Sequence, residues 1–174
     1  MQIGNQPSPF TTPVVGIDYP HAEIHTGSHY FYADCVELDN GVSQDYLFTT
    51  GSKYPHMSFE YSGSAITQLQ VFEASDKTGT TLQTLLNNNR ASSKTTTATL
   101  HKAVTGGTTD GTLIWCDKSG SATNQAQGGA SSSQDSELIL KLNTKYIFRI
   151  TSFTNDNLTN LKIGYYDESV NYGL

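Results

Sequence analysis

The residues best suited to chemistry lie near position 20, where two histidines and a glutamate alternate. His21, Glu23 and His25 occupy every second position. On a β-strand such residues share one face, and two imidazoles with a carboxylate form a ligand set for zinc, iron or manganese. A metal site would also need a shielded pocket and a further ligand from elsewhere. We therefore favour polar side chains at a strand edge or subunit contact, and predict no metal and no cofactor.

Hydrolytic chemistry has less support. The chain has no G-x-S-x-G elbow for a serine nucleophile. Its acidic residues are scattered, so spacing alone assigns no carboxylate pair to glycoside hydrolysis. The stretch GGTTDG lacks the lysine and the following helix of a phosphate-binding loop. We therefore expect no enzymatic activity.

Aromatic residues are a third kind of candidate. Trp115, Tyr165 and Tyr166 could form a platform on which a sugar ring stacks. At a period of two, however, most such rings belong to a core or a subunit interface, which is the favoured interpretation. Asn157 begins an Asn-Leu-Thr glycosylation sequon, which we interpret as a turn because no secretion signal is present.

The composition excludes several classes of partner. The 174 residues carry a net charge of −6 with ten Lys plus Arg, and no basic run is present to neutralise phosphates, so nucleic acid is not expected. No apolar run approaches the ~20 residues of a membrane span. The N-terminus lacks the charged and apolar regions of a secretory signal. Cys35 and Cys116 lie in apolar strand patterns and are expected to be buried, reduced thiols.

Alternation of apolar and polar residues dominates the chain and predicts an all-β protein. Eight to ten short strands joined by Gly, Asn and Ser turns favour an antiparallel β-sandwich, jelly-roll-like in architecture. Residues 57–61 and 66–72 read as one hairpin. Residues 138–142 and 146–150 read as a second, central hairpin. The segment 79–90 is the only helix candidate, and a loop containing one helical turn fits it equally well.

Three regions differ from this pattern. Residues 1–20 contain four of the five prolines, which predicts an extended N-terminal arm. Residues 117–135 are rich in Gly and Ser without a large apolar side chain, which predicts a flexible loop. Residues 169–174 form an unpatterned C-terminal tail. The sandwich domain is therefore expected to span 21–168.

An ordered set of motifs carries a resemblance to a known group of proteins. HAEIHTGSHYFYAD, DYLFTTGSKYPHMSFEY, a Gly/Ser-rich stretch, ELILKLNTKYIFRITSFT and LKIGYYDE follow one another between residues 20 and 168. This set resembles small head-associated structural proteins of tailed bacteriophages. No single motif is diagnostic; the order of the set carries the likeness.

The resemblance implies a capsid decoration, or cement, protein with a jelly-roll-like sandwich. Such a protein would bind the major capsid protein on the exterior of the virion, as a homotrimer, and stabilise the shell; it would be made in the host cytoplasm. The resemblance implies no catalytic residue. The residues expected to contact the capsid or a neighbouring subunit are Pro7, Pro9, Phe10, Pro13, Val14, Val15, Ile17, Tyr19, His21 and His25.

Two alternatives remain open at this point. One is a β-domain associated with the tail, neck or fibre of the virion. The other is a carbohydrate-binding module with a glycan as ligand. The position of the protein on the particle would separate the first from a decoration protein, and a glycan screen would test the second.

Overall fold

The computed structural model describes residues 19–121, 128–131 and 137–168; for 128–131 and 168 it describes the backbone alone. The described chain forms one short helix and twelve strands. The helix is α1 (Tyr19–Thr26). The strands are β1 (His29–Leu38), β2 (Ser43–Thr49), β3 (Tyr54–Gly63), β4 (Thr67–Glu73), β5 (Thr78–Gln83), β6 (Leu86–Asn87), β7 (Thr99–Thr105), β8 (Thr112–Ser119), β9 (Gly128–Ser131), β10 (Leu138–Ile139), β11 (Lys145–Ser152) and β12 (Asn157–Glu168).

The strands form two antiparallel sheets packed face to face, as the sequence predicts. Sheet A has the order β10-β3-β12-β1-β6, with β9 also pairing with β3; sheet B has the order β5-β7-β2-β11-β4-β8. Strands β1, β12 and β3 therefore lie in one sheet, and β2, β11 and β4 in the other. This interleaving of early and late strands is the order of a jelly roll. The antiparallel pair β5 and β7 widens sheet B beyond this arrangement.

The core lies between the sheets and is filled by alternate residues of both. Edge-to-face ring pairs cross the interface, with centroid distances of 5.2 Å for Phe48–Tyr165 and 5.7 Å for Phe59–Phe148. This geometry lets the positive ring edge meet the negative ring face. The buried members of the core are Tyr30, Tyr32, Leu38, Tyr46, Phe48, Met57, Phe59, Tyr61, Leu69, Val71, Ala98, Leu100, Leu140, Tyr146, Phe148, Ile150, Leu161, Ile163 and Tyr165.

Both predicted hairpins are wrong in their pairing. The strand at 57–61 belongs to β3 in sheet A, and the strand at 66–72 to β4 in sheet B. Likewise β10 pairs with β3, whereas β11 lies between β2 and β4. In a jelly roll the connections cross from one sheet to the other, and short turns alone cannot distinguish that path from a hairpin. The central position expected for the second strand, β11, is confirmed.

Other local predictions also need correction. The helix candidate 79–90 contains strands β5 and β6 instead. Twelve described strands exceed the eight to ten expected. The predicted loop 117–135 contributes residues to β8 and to β9, which pairs with β3; its residues 122–127 and 132–135 lie outside the described part. The arm residues 1–18 and the tail 169–174 lie outside it as well.

The cysteines were expected inside the protein, and this is wrong. Cys35 and Cys116 are both exposed and both free thiols. Each occupies the solvent-facing side of its strand, because the alternation places the neighbouring residue inward. The alternation of residues located both strands correctly. It did not show whether each cysteine faces the core or the solvent.

Arg149 fixes the outer face of sheet B. Its guanidinium donates two hydrogen bonds of 2.7 Å to the Asp45 carboxylate and one of 2.8 Å to Asp110. It also lies 5.3 Å from the centroid of the Phe72 ring. The bonds to Asp45 and Asp110 raise the pKa of Arg149 despite its partial burial. This planar, bidentate arrangement joins β11, β2 and the segment before β8.

Among the described residues, no helix is long and apolar enough to span a membrane.

Candidate functional site

The motif at residues 21–25 lies on a helix, not on the strand that the sequence predicts. Pro20 occupies the first turn of α1, where its missing N–H costs no hydrogen bond. The helix ends in a Schellman motif: Ser28 N–H donates to Glu23 O at 2.9 Å, and Gly27 N–H donates to Ile24 O at 3.1 Å. Gly27 has a φ of 76°, a conformation that favours glycine. The proline and the glycine are sequence signals that could have revealed this helix.

The asparagine run at 87–89 holds this helix end in place. Asn87 Nδ2 donates to the carbonyl of Gly27 at 2.7 Å, and Asn89 Nδ2 donates to the carbonyl of His25 at 3.2 Å. A Cβ on Gly27 would come within 2.2 Å of Ser92 Oγ. These contacts are long-range, so the sequence alone did not assign them.

The helix separates the three predicted metal candidates. His21 and His25 share a face at a spacing of four, with their Nε2 atoms 3.0 Å apart. Glu23 points elsewhere, where its side chain accepts a hydrogen bond from Thr26 at 3.1 Å. Within residues 19–121 and 137–168, no group of three or more His, Cys, Asp or Glu side chains could hold a metal ion. The convergence that a strand would have allowed does not occur, because residues 21–25 are helical.

A cleft with a volume of about 550 Å³ lies on the outer face of sheet A beside α1. We call it the sheet A cleft. The strand registers place its residues in rows across β3, β12 and β1: one row is His56, Tyr166 and His29, and the next is Ser58, Gly164 and Phe31. Helix α1 forms one wall, and its contributors are Tyr19, Pro20, His21 and Ile24.

One end of the sheet A cleft is a hydrogen-bonded aromatic cluster. The Tyr166 hydroxyl donates to Glu137 Oε2 at 3.0 Å and lies 3.1 Å from His56 Nδ1. The imidazole of His56 stacks on the Tyr166 ring at 4.8 Å. Tyr19 meets the same ring edge-on at 5.5 Å. Tyr166 is buried and its ring contacts both of these neighbours, so this residue supports the cleft instead of offering an exposed ring face.

The centre of the cleft is a depression. Gly164 has no side chain, and a Cβ added there would meet only His29 Cε1 and Ser58 Oγ, each at 3.5 Å. Phe31 stands beside it, half-buried. At the far side, Lys162 Nζ and Glu60 Oε1 form an exposed ion pair at 3.4 Å. The centre therefore combines an aromatic ring with polar groups of both kinds.

His29 forms part of the wall and is held neutral. Burial lowers the pKa of its imidazole, and the positive charge of Lys162 lowers it further, against a smaller opposite effect of Glu23. Its Nδ1 atom is buried and, among the described residues, has no hydrogen-bond partner. Desolvation disfavours the imidazolium form, so at neutral pH this wall carries no positive charge from His29.

Two of the three aromatic sugar-binding candidates belong to the core. Tyr165 is fully buried, and Trp115 packs against the core, 5.3 Å from the ring of Phe59. Only Tyr166 lines the cleft. The adjacent tyrosines point to opposite faces because strand side chains alternate. Sequence reasoning missed Phe31, Gly164 and His56, since nothing in their spacing indicates that three different strands bring them together.

The contact candidates can be followed only in part. Tyr19, His21 and His25 lie on α1, and Tyr19 is 48% exposed. The remaining candidates lie outside the described residues; they are Pro7, Pro9, Phe10, Pro13, Val14, Val15 and Ile17.

Comparisons of the chain with protein-family models, with curated proteins and with solved structures gave no match in any of the three. The resemblance to phage head proteins therefore stays a prediction.

Proposed function

We propose that the protein is a virion structural protein that binds the exterior of a phage capsid and stabilises the shell. The observation that carries the proposal is the position of α1. This helix has no buried residue, yet it is fastened to the outer face of the sandwich at the point where residues 1–18 join the domain.

The energetics of α1 support a role in attachment. A helix of eight residues is marginal in water, because nucleation costs more than so few hydrogen bonds return. In this protein Asn87 and Asn89 donate hydrogen bonds to its C-terminal end, while Tyr19 remains 48% exposed. Burial of the apolar Tyr19 side chain on a partner would contribute about 1 to 2 kcal/mol. The helix is thus fixed to the sandwich but not buried, and binding to a partner would bury part of its surface and stabilise it.

The sandwich supports the proposal as a scaffold. The polar side chain of Asn157 and the Arg149 guanidinium are engaged in structural hydrogen bonds. In the cleft, the Ser58 hydroxyl is within 3.4 Å of the Gly164 carbonyl, and the Glu137 carboxylate accepts from Tyr166. A rigid domain with an appended docking element suits a protein that attaches and does not turn over a substrate.

The test is cosedimentation with capsids that lack this protein. A variant beginning at residue 19, and a full-length Tyr19→Ser variant, should each lose most capsid binding. Leu82→Ser is the matched control, since Leu82 is 65% exposed on the edge strand β5 of sheet B. Unaltered binding by both test variants, with folding verified by thermal unfolding, would contradict the proposal.

The partner and assembly are tested separately. We propose that the partner is the major capsid protein and that three copies assemble at each site, so light scattering should give three times the chain mass of 18.9 kDa. Electron microscopy of labelled particles would place the protein on the capsid exterior. Labelling confined to the tail, neck or fibre would instead support the alternative virion role.

A further inference from the structure

We propose that the sheet A cleft binds a neutral saccharide, a function beyond attachment to a capsid. The inference rests on the shape of the cleft, its balance of charge and the arrangement of Phe31 with Gly164.

The cleft has the dimensions of a small-molecule site. Its volume of about 550 Å³ falls within the range of roughly 300–1,000 Å³ typical of ligand pockets. Three strands and α1 build its floor and wall, so most of its lining is fixed by backbone pairing before any ligand arrives. A preformed site loses little entropy on binding.

The charges of the cleft argue against an ionic ligand. Lys162 is the only ammonium group in the described lining, and it is paired with Glu60. Burial keeps His29 neutral, so it adds no positive charge for an anion such as phosphate. The Glu137 carboxylate accepts from the Tyr166 hydroxyl and lies 3.4 Å from His56 Nδ1, so a cation would compete with both groups for it. A neutral ligand fits this balance better than either ion.

The centre of the cleft suits a flat ring with one apolar face. Phe31 offers a half-buried aromatic side chain, and its neighbour across the strand pair is Gly164, which has no side chain and whose position has room for a Cβ. A pyranose presents C–H bonds on one face, and this face can pack on an aromatic ring as other apolar surfaces do. The row His56, Tyr166 and His29 closes one side.

The polar groups around the centre of the cleft include both hydrogen-bond donors and acceptors, and sugar hydroxyl groups require both. A sugar hydroxyl both donates and accepts a hydrogen bond. The rim supplies Ser58, Asn88, Glu60 and Lys162, which together provide a hydroxyl, an amide, a carboxylate acceptor and an ammonium donor. A polyol can use all four groups at once without bringing a net charge.

The experiment uses the full-length protein and neutral oligosaccharides. Saturation-transfer NMR and calorimetry with maltose, cellobiose, lactose, chitobiose and mannobiose should detect binding of at least one at millimolar concentration. Sialyllactose, inorganic phosphate and calcium chloride are the charged probes, and each should bind more weakly than that saccharide. Tighter binding of any charged probe would overturn the proposal.

Two substitutions test the location of the site. Gly164→Leu fills the depression, and Phe31→Ala removes the apolar platform; each should weaken saccharide binding about tenfold or more. Gly164→Ala adds a Cβ at ordinary contact distances and should have a smaller effect. Ser62→Leu is the matched control, because Ser62 lies on the same strand face as Ser58 but outside the cleft.

These binding measurements test the saccharide site independently of capsid attachment. Absence of binding by every neutral saccharide, or unaltered affinity in both Gly164→Leu and Phe31→Ala, overturns the inference. Thermal unfolding identifies a variant that fails to fold. If one of the two variants fails, the saccharide affinity of the other tests the site. Capsid cosedimentation should be retained in Gly164→Leu, so loss of sugar binding and loss of attachment are distinguishable.

Discussion

Removal of the Asn157 side chain should destabilise the sandwich strongly. Asn157 is fully buried at the start of β12. Its Oδ1 accepts from Ala65 N–H at 2.9 Å and from the Ser64 hydroxyl at 3.1 Å. Its Nδ2 lies within 3.0 Å of Thr67 Oγ1 and Ser152 Oγ. One amide thus joins β12 to the β3–β4 connection and to the end of β11.

The magnitude follows from the groups that Asn157→Ala leaves behind. The buried N–H of Ala65 loses its partner, which costs about 1 to 3 kcal/mol. The lost side-chain volume adds a small cavity, so the total should be about 2 to 4 kcal/mol. For a domain of this size, each kcal/mol lowers the melting temperature by roughly 2–4 °C.

Asn157→Asp gives a sharper version of the same test. The carboxylate keeps the acceptor for Ala65 but faces the hydroxyl oxygens of Thr67 and Ser152 without the two donors of the amide. Burial would raise the pKa of this Asp above its unfolded value of about 3.9. The variant should therefore lose stability as the pH rises through that folded pKa.

Urea unfolding at several pH values measures both effects. Asn155→Ala is the matched control, since Asn155 is exposed and accepts one hydrogen bond from Asn40 N–H; it should change stability by less than about 1 kcal/mol. An Asn157→Ala variant as stable as that control would show that the hydrogen bonds of the Asn157 side chain do not stabilise the sandwich. Because the Asn157 side chain is buried, a glycan on its Nδ2 would break hydrogen bonds of the folded state. The Asn-Leu-Thr sequon therefore has a structural role.

Three further predictions concern the helix end, a buried carboxyl and the sheet B brace. Gly27→Ala should destabilise the end of α1 by about 1 kcal/mol or more, because of the φ of 76° and the clash with Ser92, and limited proteolysis should cut there sooner. Burial raises the pKa of Asp167, so its contribution to stability is present at low pH and lost as the pH rises through the folded pKa; the urea midpoint of Asp167→Asn relative to wild type should therefore rise as the pH increases above about 4. Arg149→Lys should cost about 1 to 3 kcal/mol in thermal unfolding, because an ammonium cannot reproduce the two bonds to Asp45.

Residue alternation along the chain predicts the fold class and the inward-facing residues of most strands. Alternation decides which residues face inward once a strand forms, because successive side chains point to opposite faces. That rule correctly predicted the inward set Met57, Phe59 and Tyr61, and likewise Tyr146 and Phe148. Composition supported the same conclusion, since aromatic and β-branched residues suit packed sheets.

Local signals failed where two conformations share the same pattern. The segment 79–90 has leucines at helical spacing, yet β5 pairs with β7 and its Leu82 is exposed. Around His21 to His25 the reverse occurred: alternation suggested a strand, while Pro20 and Gly27 delimit a helix. Short elements take their conformation from tertiary contacts, because their own propensities differ by less than those contacts contribute.

The pairing of the strands, and with it the location of the cleft, does not follow from residue spacing. Pairing across a jelly roll joins residues far apart in the chain, and alternation carries no information about which strand lies beside which. Gly164 meets Ser58 on one side and Phe31 on the other through such pairing. The sheet A cleft exists because β3, β12 and β1 are neighbours, a fact that backbone hydrogen bonding establishes and residue spacing does not.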